Sequence, residues 1–356
     1  MPAFREGKVV RLIEERDDLT RAEVALESGD IEAVGFPKML GPLEPGDRVI
    51  VNTTGLELGL GTGGIGFILW NLDGTAPPPD LRGHIVKLRY TPWQTEVLSA
   101  EEPDGPYHDT LEEIGSIDGM PVVACSLHSQ IAGVAAGIKA ARPEARVGYL
   151  MTDGASLPIA WSDLVRDLRS AGLIDSTCTC GHAFGGDLET VNEFSGLAAL
   201  RSGAGMDVVV VAMGPGVVGT GTRLGHTALE QGQILDAVAA LGGRGIACLR
   251  ITFADPRLRH TGVSHHALTA LRIVAHRPCI VAIPELPPER SEVVEAQIAD
   301  AGIGDRHELQ IVDGSPGLRL LAEKGLAPTS MGRTVEEIPE LFGAAAAAGR
   351  IAAEML

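Results

Sequence analysis

From about Gly83 onward, short apolar segments alternate with longer amphipathic ones, and this alternation constrains the fold more than any other feature of the chain. The strand candidates are HIVKLRY, PVVACSL, RVGYLMT, IDSTCTC, DVVVVAM, GIACLRIT, CIVAIPE and ELQIVDG. The helix candidates between them are SQIAGVAAGIKAA, WSDLVRDLRSAG, LETVNEFSGLAALRSG, HTALEQGQILDAVAALGG, HALTALRIVAHR and RSEVVEAQIADAG. Strands that are apolar on both faces and joined by helices predict an α/β domain with a mostly parallel, Rossmann-like sheet and helices on both faces.

The first 75 or so residues follow a different pattern. The runs KVVRLIEE, TRAEVALE and DRVIVNTT are short, rich in β-branched residues and separated by Ser-Gly-Asp and Pro-Gly-Asp turns, which is typical of hairpins. We therefore expect a small N-terminal antiparallel β domain, either a barrel or a sandwich. The Pro-rich segment TAPPPD, residues 75–80, is the best boundary, so the predicted domains are 1–78 and 83–356.

Composition narrows the classes of partner. A formal charge of −18 argues against nucleic acid or an anionic membrane as the partner, although one basic loop can still bind a small anion. The charged start of the chain lacks a signal-peptide core, and no stretch reaches the roughly 18 uninterrupted apolar residues of a membrane span. The five cysteines are odd in number and lie mostly in apolar runs, which argues against a disulfide framework and indicates a cytoplasmic protein.

The Ala-rich tail FGAAAAAGRIAAEML predicts a helix that docks on the α/β domain or on a second subunit. We expect a homo-oligomer.

Polar and charged residues follow five successive strand candidates, where a parallel sheet binds its ligands. The opposite strand ends are ordinary turns such as ARPEAR and LGGRG. The candidate acid–base residues at the five strand ends are His128, Asp153, His182, Asp187, Asp255, His260, His265 and His266. His128 alone would more often be structural, Asp153-Gly154 is also a common turn, and Asp187 has the alternative role of capping a helix that begins near Leu188.

A glycine-rich loop follows the strand DVVVVAM. Its glycines match G-x-G-x-x-G, a pattern whose backbone N–H groups cradle a phosphate or carboxylate. Pro215 removes one of those donors and no acidic residue follows at the spacing of a ribose binder, so NAD is disfavoured; a purely structural turn stays open. The candidate ligand-binding residues of this loop are Gly214, Gly216, Gly219, Thr220, Gly221, Thr222 and Arg223.

The segment 255–266 concentrates one acid, two arginines and three histidines. Arg257 and Arg259 suit an anionic group, and the histidines suit proton transfer near neutral pH. Ser264 is a predicted N-cap that places His265 and His266 in the first turn of a helix. The alternative is a solvated polar loop in which Asp255 pairs with Arg257.

A divalent metal held by His and Asp side chains from several strand ends also stays open. Cys178-x-Cys180-x-His182 has the wrong spacing for a zinc knuckle, and both cysteines are expected in the core.

Several distinctive segments carry a family resemblance: VNTTGLELGLGTGG, KLRYTPWQ, MTDGASLP, GHAFGGDLETVN, VVVVAMGPGVVGTGT and ADPRLRHTGVSHHALTAL. Together they resemble the bacterial domain-of-unknown-function family 3866 over nearly the whole chain. The resemblance implies a full-length bacterial family without an established activity, so it carries over no catalytic roles.

The leading hypothesis is an enzyme that acts on a small anionic metabolite, phosphorylated ones included. His and Asp residues would do the acid–base work, and the loop 214–223 would bind the anion. The reaction type stays open. One alternative is a ligand-sensing or scaffold protein that uses the same cleft without chemistry, and another is that the Gly-rich and His-rich loops form a subunit interface.

Overall fold

The computed structural model describes residues 2–59, 64–75 and 82–356. The chain forms two compact units, one of Met1–Leu81 with Leu88–Glu96 and the other of Arg82–Lys87 with Val97–Leu356. The predicted linker 75–80 lies outside the described residues except for Thr75. In the part of the chain that is described, no helix combines the length and the apolar character that crossing a bilayer requires.

The N-terminal unit is a closed five-stranded barrel in the order β1-β2-β3-β5-β4. Its elements are β1 (Phe4–Glu15), β2 (Thr20–Leu26), β3 (Gly29–Gly35), α1 (Pro37–Leu40), β4 (Arg48–Asn52), α2 (Thr54–Glu57) and β5 (Ile65–Asn71). Val24, Val49 and Val51 point into its apolar core. The predicted barrel is confirmed, with one parallel pair, β3 with β5, that closes it.

The larger unit contains a fully parallel eight-stranded sheet in the order β11-β10-β9-β12-β8-β13-β16-β17. Ahead of it in the chain lie β6 (Ile85–Lys87), β7 (Thr95–Val97), whose first two residues belong to the N-terminal unit, and α3 (His108–Leu111). The strands are β8 (Pro121–Cys125), β9 (Val147–Thr152), β10 (Ser176–Thr179), β11 (Leu188–Glu189), β12 (Val208–Met213), β13 (Arg244–Cys248), β16 (Ile280–Pro284) and β17 (Glu308–Val312). A small antiparallel hairpin, β14 (Ile251–Thr252) with β15 (Gly262–Val263), follows β13. The predicted α/β class is confirmed.

Helices cover both faces of the sheet. The helices are α4 (Gln130–Ala141), α5 (Asp163–Ser170), α6 (Glu193–Ala198), α7 (Glu230–Ala240), α8 (His265–Thr269), α9 (Pro288–Asp300), α10 (Ser315–Glu323) and α11 (Pro339–Glu354). One face packs against α4, α5, α10 and α11, and the other against α6, α7, α8 and α9. Both faces of β8 and β12 are therefore buried, which explains their uninterrupted apolar sequence.

The tail helix α11 docks on this chain's own α4 and on the sheet. Gly137 of α4 and Gly349 of α11 permit the close approach, because a Cβ at either position would overlap a carbonyl group of the facing helix. This is the first of the two docking sites that the tail allowed.

Two local predictions were wrong. HIVKLRY supplies only β6, which lies outside the eight-stranded sheet. The start of LETVNEFSGLAALRSG is the edge strand β11 rather than helix, because Leu188 and Glu189 pair with Cys178 and Thr179 of β10. Asn192, whose side chain accepts from the N–H groups of Phe194 and Ser195, starts the helix instead.

The crossovers place a topological switch at β12. β8 and β9 continue through α4 and α5 on one face, whereas β12, which lies between them in the sheet, continues through α7 on the other face. Neighbouring connections therefore diverge at the carboxyl end of β12. In open parallel sheets this is where ligands bind.

Candidate functional site

Four histidines gather in a cluster near the carboxyl ends of β12 and β13. The histidine cluster consists of His226, His260, His265 and His266, with ring centroids of neighbouring pairs 3.9–5.5 Å apart. His226 and His266 stack at 3.9 Å with an interplanar angle of 15°. Burial lowers the pKa of all four, to about 4 for His260 and about 3 for His266. The rings are therefore neutral at physiological pH.

Local sequence explains why three of these rings converge. The β14–β15 hairpin closes the loop between Thr252 and Gly262, and the N–H of Ser264 donates to the carbonyl of Arg250. Ser264 then caps α8 by accepting from the N–H of His266, as its position predicts, so His265 and His266 occupy the first turn. The Ser264 hydroxyl also lies 2.7 Å from Nδ1 of His260.

A buried ion pair stands beside the cluster. Asp255 accepts from Nε and Nη2 of Arg257 at 2.9 and 2.7 Å, and lies 3.6 Å from Arg250. The side chains of Asp255 and Arg250 are only 2% and 4% exposed. Arg257 holds the pKa of Asp255 well below its usual range, while burial lowers the pKa of Arg250 to about 10. The alternative pairing of Asp255 with Arg257 is thus present, and it joins a solvent-exposed loop to the buried Arg250.

The surroundings of the cluster are electropositive. After burial, the causes that lower the pKa of His265 are His226 and then the guanidiniums of Arg259, Arg250 and Arg257. Arg259 lies against Gly221 of the glycine-rich loop, so that an added Cβ there would meet its guanidinium at 3.6 Å. In a chain with a net charge of −18, this is a local concentration of positive charge.

The glycine-rich loop forms a compact, self-bonded arch rather than an open cradle. The N–H of Thr220 donates to the carbonyl of Gly225, the hydroxyls of Thr220 and Thr222 lie 2.9 Å apart, and Gly219 pairs with His226. Gly214 packs so tightly on the carbonyl of Ser156 that a Cβ would overlap it, and Gly216 needs its positive φ of 112°. These glycines shape the loop, which runs past the cluster and reaches α7 only at Glu230.

His128 has a different setting from the cluster. Its Nδ1 lies 3.2 Å from the carbonyl oxygen of Met213 and its Nε2 lies 2.6 Å from the hydroxyl of Ser162. The hydroxyl of Tyr149 is a further neighbour at 3.2 Å. Burial lowers the pKa of His128 to about 4. Because both ring nitrogens are bonded, this side chain braces the ends of β8 and β12 against the start of α5.

A small acidic pocket lies at the ends of β9 and β10. The cavity of about 250 Å³ is lined by Asp153, Glu193 and Glu230, among others. The hydroxyl of Thr152 donates to Glu230 at 2.8 Å, and the N–H of His182 donates to Asp153 at 2.8 Å. Burial, assisted by repulsion from Asp153 and Glu193, raises the pKa of Glu230 to about 7.

A fully buried lysine fixes the loop that carries His182. Nζ of Lys87 donates to the carbonyls of Ala183 and Thr190 at 2.9 and 3.1 Å and lies 3.2 Å from Glu189. His182 therefore enters the site region on a braced loop, beside Asp153 rather than beside the histidine cluster.

Asp187 does not belong to this edge of the sheet. It accepts from the N–H of Thr177, at the start of β10, and pairs with Arg169 at 2.8 Å. It precedes a strand rather than a helix, so neither its catalytic role nor its capping role fits the structure. Cys178 and Cys180 are buried in the core, and burial raises the pKa of Cys178 to about 12.

Three residues of the site region were not predicted from the sequence. His226 ends the same loop as Arg223, and its imidazole was the available signal. Arg250 could have been found as the charge in the otherwise apolar run GIACLRIT. Glu230 gave no distinct signal, because acidic residues are common in the first turn of a helix.

Comparison with known proteins identifies a family but no activity. Neither the curated proteins nor the solved structures contain a match to this chain. A family model described as "Protein of unknown function (DUF3866)" matches residues 32–349, which cover the sheet, the glycine-rich loop and the histidine cluster. The chain therefore belongs to the DUF3866 family, as its sequence motifs suggest.

Proposed function

We propose that this protein is an enzyme that acts on a small anionic metabolite, carrying a phosphate or carboxylate group, at the carboxyl edge of the parallel sheet. The observation that carries the proposal is the set of three guanidiniums, Arg250, Arg257 and Arg259, within electrostatic reach of the histidine cluster.

The charge balance of this region favours an anion. Asp255 pairs with both Arg257 and Arg250, so one carboxylate faces two guanidiniums and the region keeps a net positive charge. Arg257 is 41% exposed and Arg259 is exposed beside Gly221, so both can meet a ligand. Guanidiniums bind phosphates and carboxylates through paired hydrogen bonds, and a local positive field attracts such ligands to an acidic protein.

Glu230 supports a catalytic rather than a purely binding role. A carboxyl with a pKa of about 7 exchanges a proton readily at neutral pH, which suits a general acid or base. The turn at Gly154, which packs against the Glu230 carboxylate, leads to Ser156, whose N–H donates to the carbonyl of Pro215 in the glycine-rich loop. Contiguous loops thus link this acid to the proposed anion site.

The test uses inorganic phosphate, pyrophosphate and citrate as probes, with the melting temperature and calorimetric affinity as readouts. We expect at least one probe to stabilise the full chain, and Arg259→Gln to weaken its binding about 10-fold or more, because a charge-assisted hydrogen bond is lost. Arg277→Gln, at an exposed arginine on the loop that leads into β16, is the matched control. Equal binding by wild type and Arg259→Gln would contradict the anion site.

Turnover separates the enzyme from a ligand sensor. Phosphomonoesters and carboxylate esters offered to wild type and Glu230→Gln should be converted by the former and not by the latter. Stabilisation by an anion with no turnover of any such substrate would assign the cleft to sensing.

Location and assembly are parts of the same proposal. Five free, buried cysteines support a reducing, cytoplasmic setting. Val218 and Leu258, large apolar side chains that are 61% and 89% exposed on neighbouring loops, support a homo-oligomer.

A further inference from the structure

We infer that His226, His265 and His266 form a binding site for one divalent transition-metal ion, with Zn²⁺ as the ion that this ligand set fits. The site deepens the proposed function, since it supplies a cation beside the anion-binding guanidiniums. The contacts that support the site, and the metal titration that tests it, do not depend on that function.

The ring nitrogens carry the inference. Each of the three histidines offers a nitrogen, and these atoms lie within 4.8 Å of one another. Among the residues that the structure describes, Nδ1 of His226, Nε2 of His265 and Nδ1 of His266 are buried and have no hydrogen-bond partner. Buried polar atoms are nearly always paired, so an unpaired nitrogen on each of three adjoining rings indicates a missing partner.

The tautomer of His226 leaves a lone pair on Nδ1 that can bind a metal ion. Nε2 of His226 lies 3.1 Å from the carbonyl oxygen of Arg223. A carbonyl can only accept, so the proton of the neutral ring resides on Nε2 and the lone pair on Nδ1, the unpaired atom. A ring nitrogen bonded to a backbone carbonyl, with the other nitrogen free to coordinate, is the usual arrangement of a metal-binding histidine.

The fourth histidine is not part of the ligand set. Nδ1 of His260 bonds to the hydroxyl of Ser264, which also caps α8. His260 therefore supports the turn that presents His265 and His266 as neighbours on one helix start, and we assign it to positioning.

One ring must turn when the ion binds. His226 and His266 stack nearly parallel, at 3.9 Å and 15°, and parallel rings cannot both direct a lone pair at one ion in their own planes. Rotation of one imidazole about its Cβ–Cγ bond corrects this, and that torsion is broad and soft.

The ligand type selects the ion. Three imidazoles suit Zn²⁺, Co²⁺ or Ni²⁺, whereas Mg²⁺ and Ca²⁺ prefer oxygen ligands. A set of three protein ligands leaves a coordination position open, as in catalytic zinc sites. With the Arg259 guanidinium beside Gly221, in the loop that ends at His226, an anionic oxygen is the fourth ligand that the surroundings favour.

The experiment titrates the full chain, stripped with a chelator, with Co²⁺ and Zn²⁺. We expect one Co²⁺ per chain, with the visible absorption of a four- or five-coordinate ion, and displacement by an equivalent of Zn²⁺ but not by excess Mg²⁺. His265→Ala should lower Co²⁺ affinity by more than about 100-fold, because removing a direct ligand exceeds the roughly 10–100-fold effect of outer partners. His226→Ala and His266→Ala should do the same.

His276→Ala is the matched control, since this histidine is exposed and lies outside the cluster. Far-UV circular dichroism and the melting temperature show that each variant is folded, and half-buried His265 is the position where substitution disturbs packing least. Failure of the wild type to bind Co²⁺ or Zn²⁺ stoichiometrically, or retention of full affinity in folded His265→Ala, would overturn the site. Phosphate binding with no metal binding would overturn the site and leave the proposed function standing; metal binding with no anion binding would do the reverse.

Discussion

The carboxyl edge of the sheet has two ends of opposite chemical character. At the β9–β10 end, Asp153, Glu193 and Glu230 line a small acidic pocket. At the β12–β13 end, the histidine cluster stands among guanidiniums. Burial acts on both ends and favours the uncharged form in each, raising the pKa of Glu230 and lowering those of the histidines.

Burial sets the protonation state at both ends, while the neighbouring charges differ and favour different ligands at each. Neutral imidazoles beside guanidiniums suit a metal ion and an anion. A carboxyl with a pKa near neutrality suits proton exchange. Under the proposed function, the two ends would divide binding and proton transfer between them. Three predictions test the burial and the local charge on which this contrast rests.

The largest effect is expected at the basic end, from Asp255→Asn. The substitution keeps the shape of the side chain but leaves the buried Arg250 without its compensating charge. We expect the free energy of unfolding to fall by about 4 kcal/mol, as measured by urea denaturation at pH 7. Asp153→Asn, at the acidic end, should cost only about 1 kcal/mol, because Asp153 accepts from the backbone N–H of His182 and does not compensate a buried charge. Equal costs would show that the two ends are not electrostatically distinct.

The next effect concerns His128, whose ring nitrogens are both bonded. Its pKa is about 4 in the folded chain and about 6.5 when unfolded, so the unfolded state binds the extra proton between these values. Stability from this group is complete above pH 6.5 and is lost as the pH falls toward 4, by about 3 kcal/mol. Unfolding free energies from pH 4 to 7 should decline less steeply for His128→Gln than for wild type, whereas exposed His276→Gln should follow wild type. Parallel curves for all three proteins would contradict the lowered pKa of His128.

The smallest effect has the opposite sign and belongs to Glu230. Its folded pKa of about 7 exceeds the ordinary 4.5, so the folded chain retains a proton that the unfolded chain releases between these values. Stability therefore falls as the pH rises through this window, by about 2 kcal/mol after allowance for partial exposure to water. Glu230→Gln should be more stable than wild type by that amount at pH 8 and equal to it at pH 4.5, in denaturant titrations. Glu289→Gln, in the exposed first turn of α9, should change neither value, and a destabilised Glu230→Gln at pH 8 would disprove the raised pKa.

Much of the fold could be predicted from the sequence because buried parallel strands have a local signature. DVVVVAM and PVVACSL became β12 and β8, buried on both faces at the centre of the sheet. The failures lie at the margins. β11, at the edge of the sheet, has only two residues, which are too few to show the alternation of a strand. HIVKLRY has the composition of a strand, but its strand β6 lies outside the main sheet.

The positions of site residues could be predicted where they depend only on neighbouring residues in the chain. Ser264 as a cap and His265 and His266 in the first turn of α8 follow from neighbouring residues alone. His226 lies about forty positions earlier in the chain. It contacts His265 and His266 only because the glycine-rich loop folds back onto α8. The prediction that Asp187 belongs to the site was wrong because its position also depends on the tertiary structure. The edge strand β11 places Asp187 beside the start of β10, at the opposite edge of the sheet.

The sequence by itself determined most of the elements and turns and the side of the sheet on which most polar loops emerge, because these depend on periodicity and on residues a few positions apart. The tertiary structure alone decided that β12 lies between β9 and β8 and that the glycine-rich loop meets α8. Strand order arises from the direction in which each crossover packs, which is a property of the assembled layers. It therefore leaves no trace in any single segment of the chain.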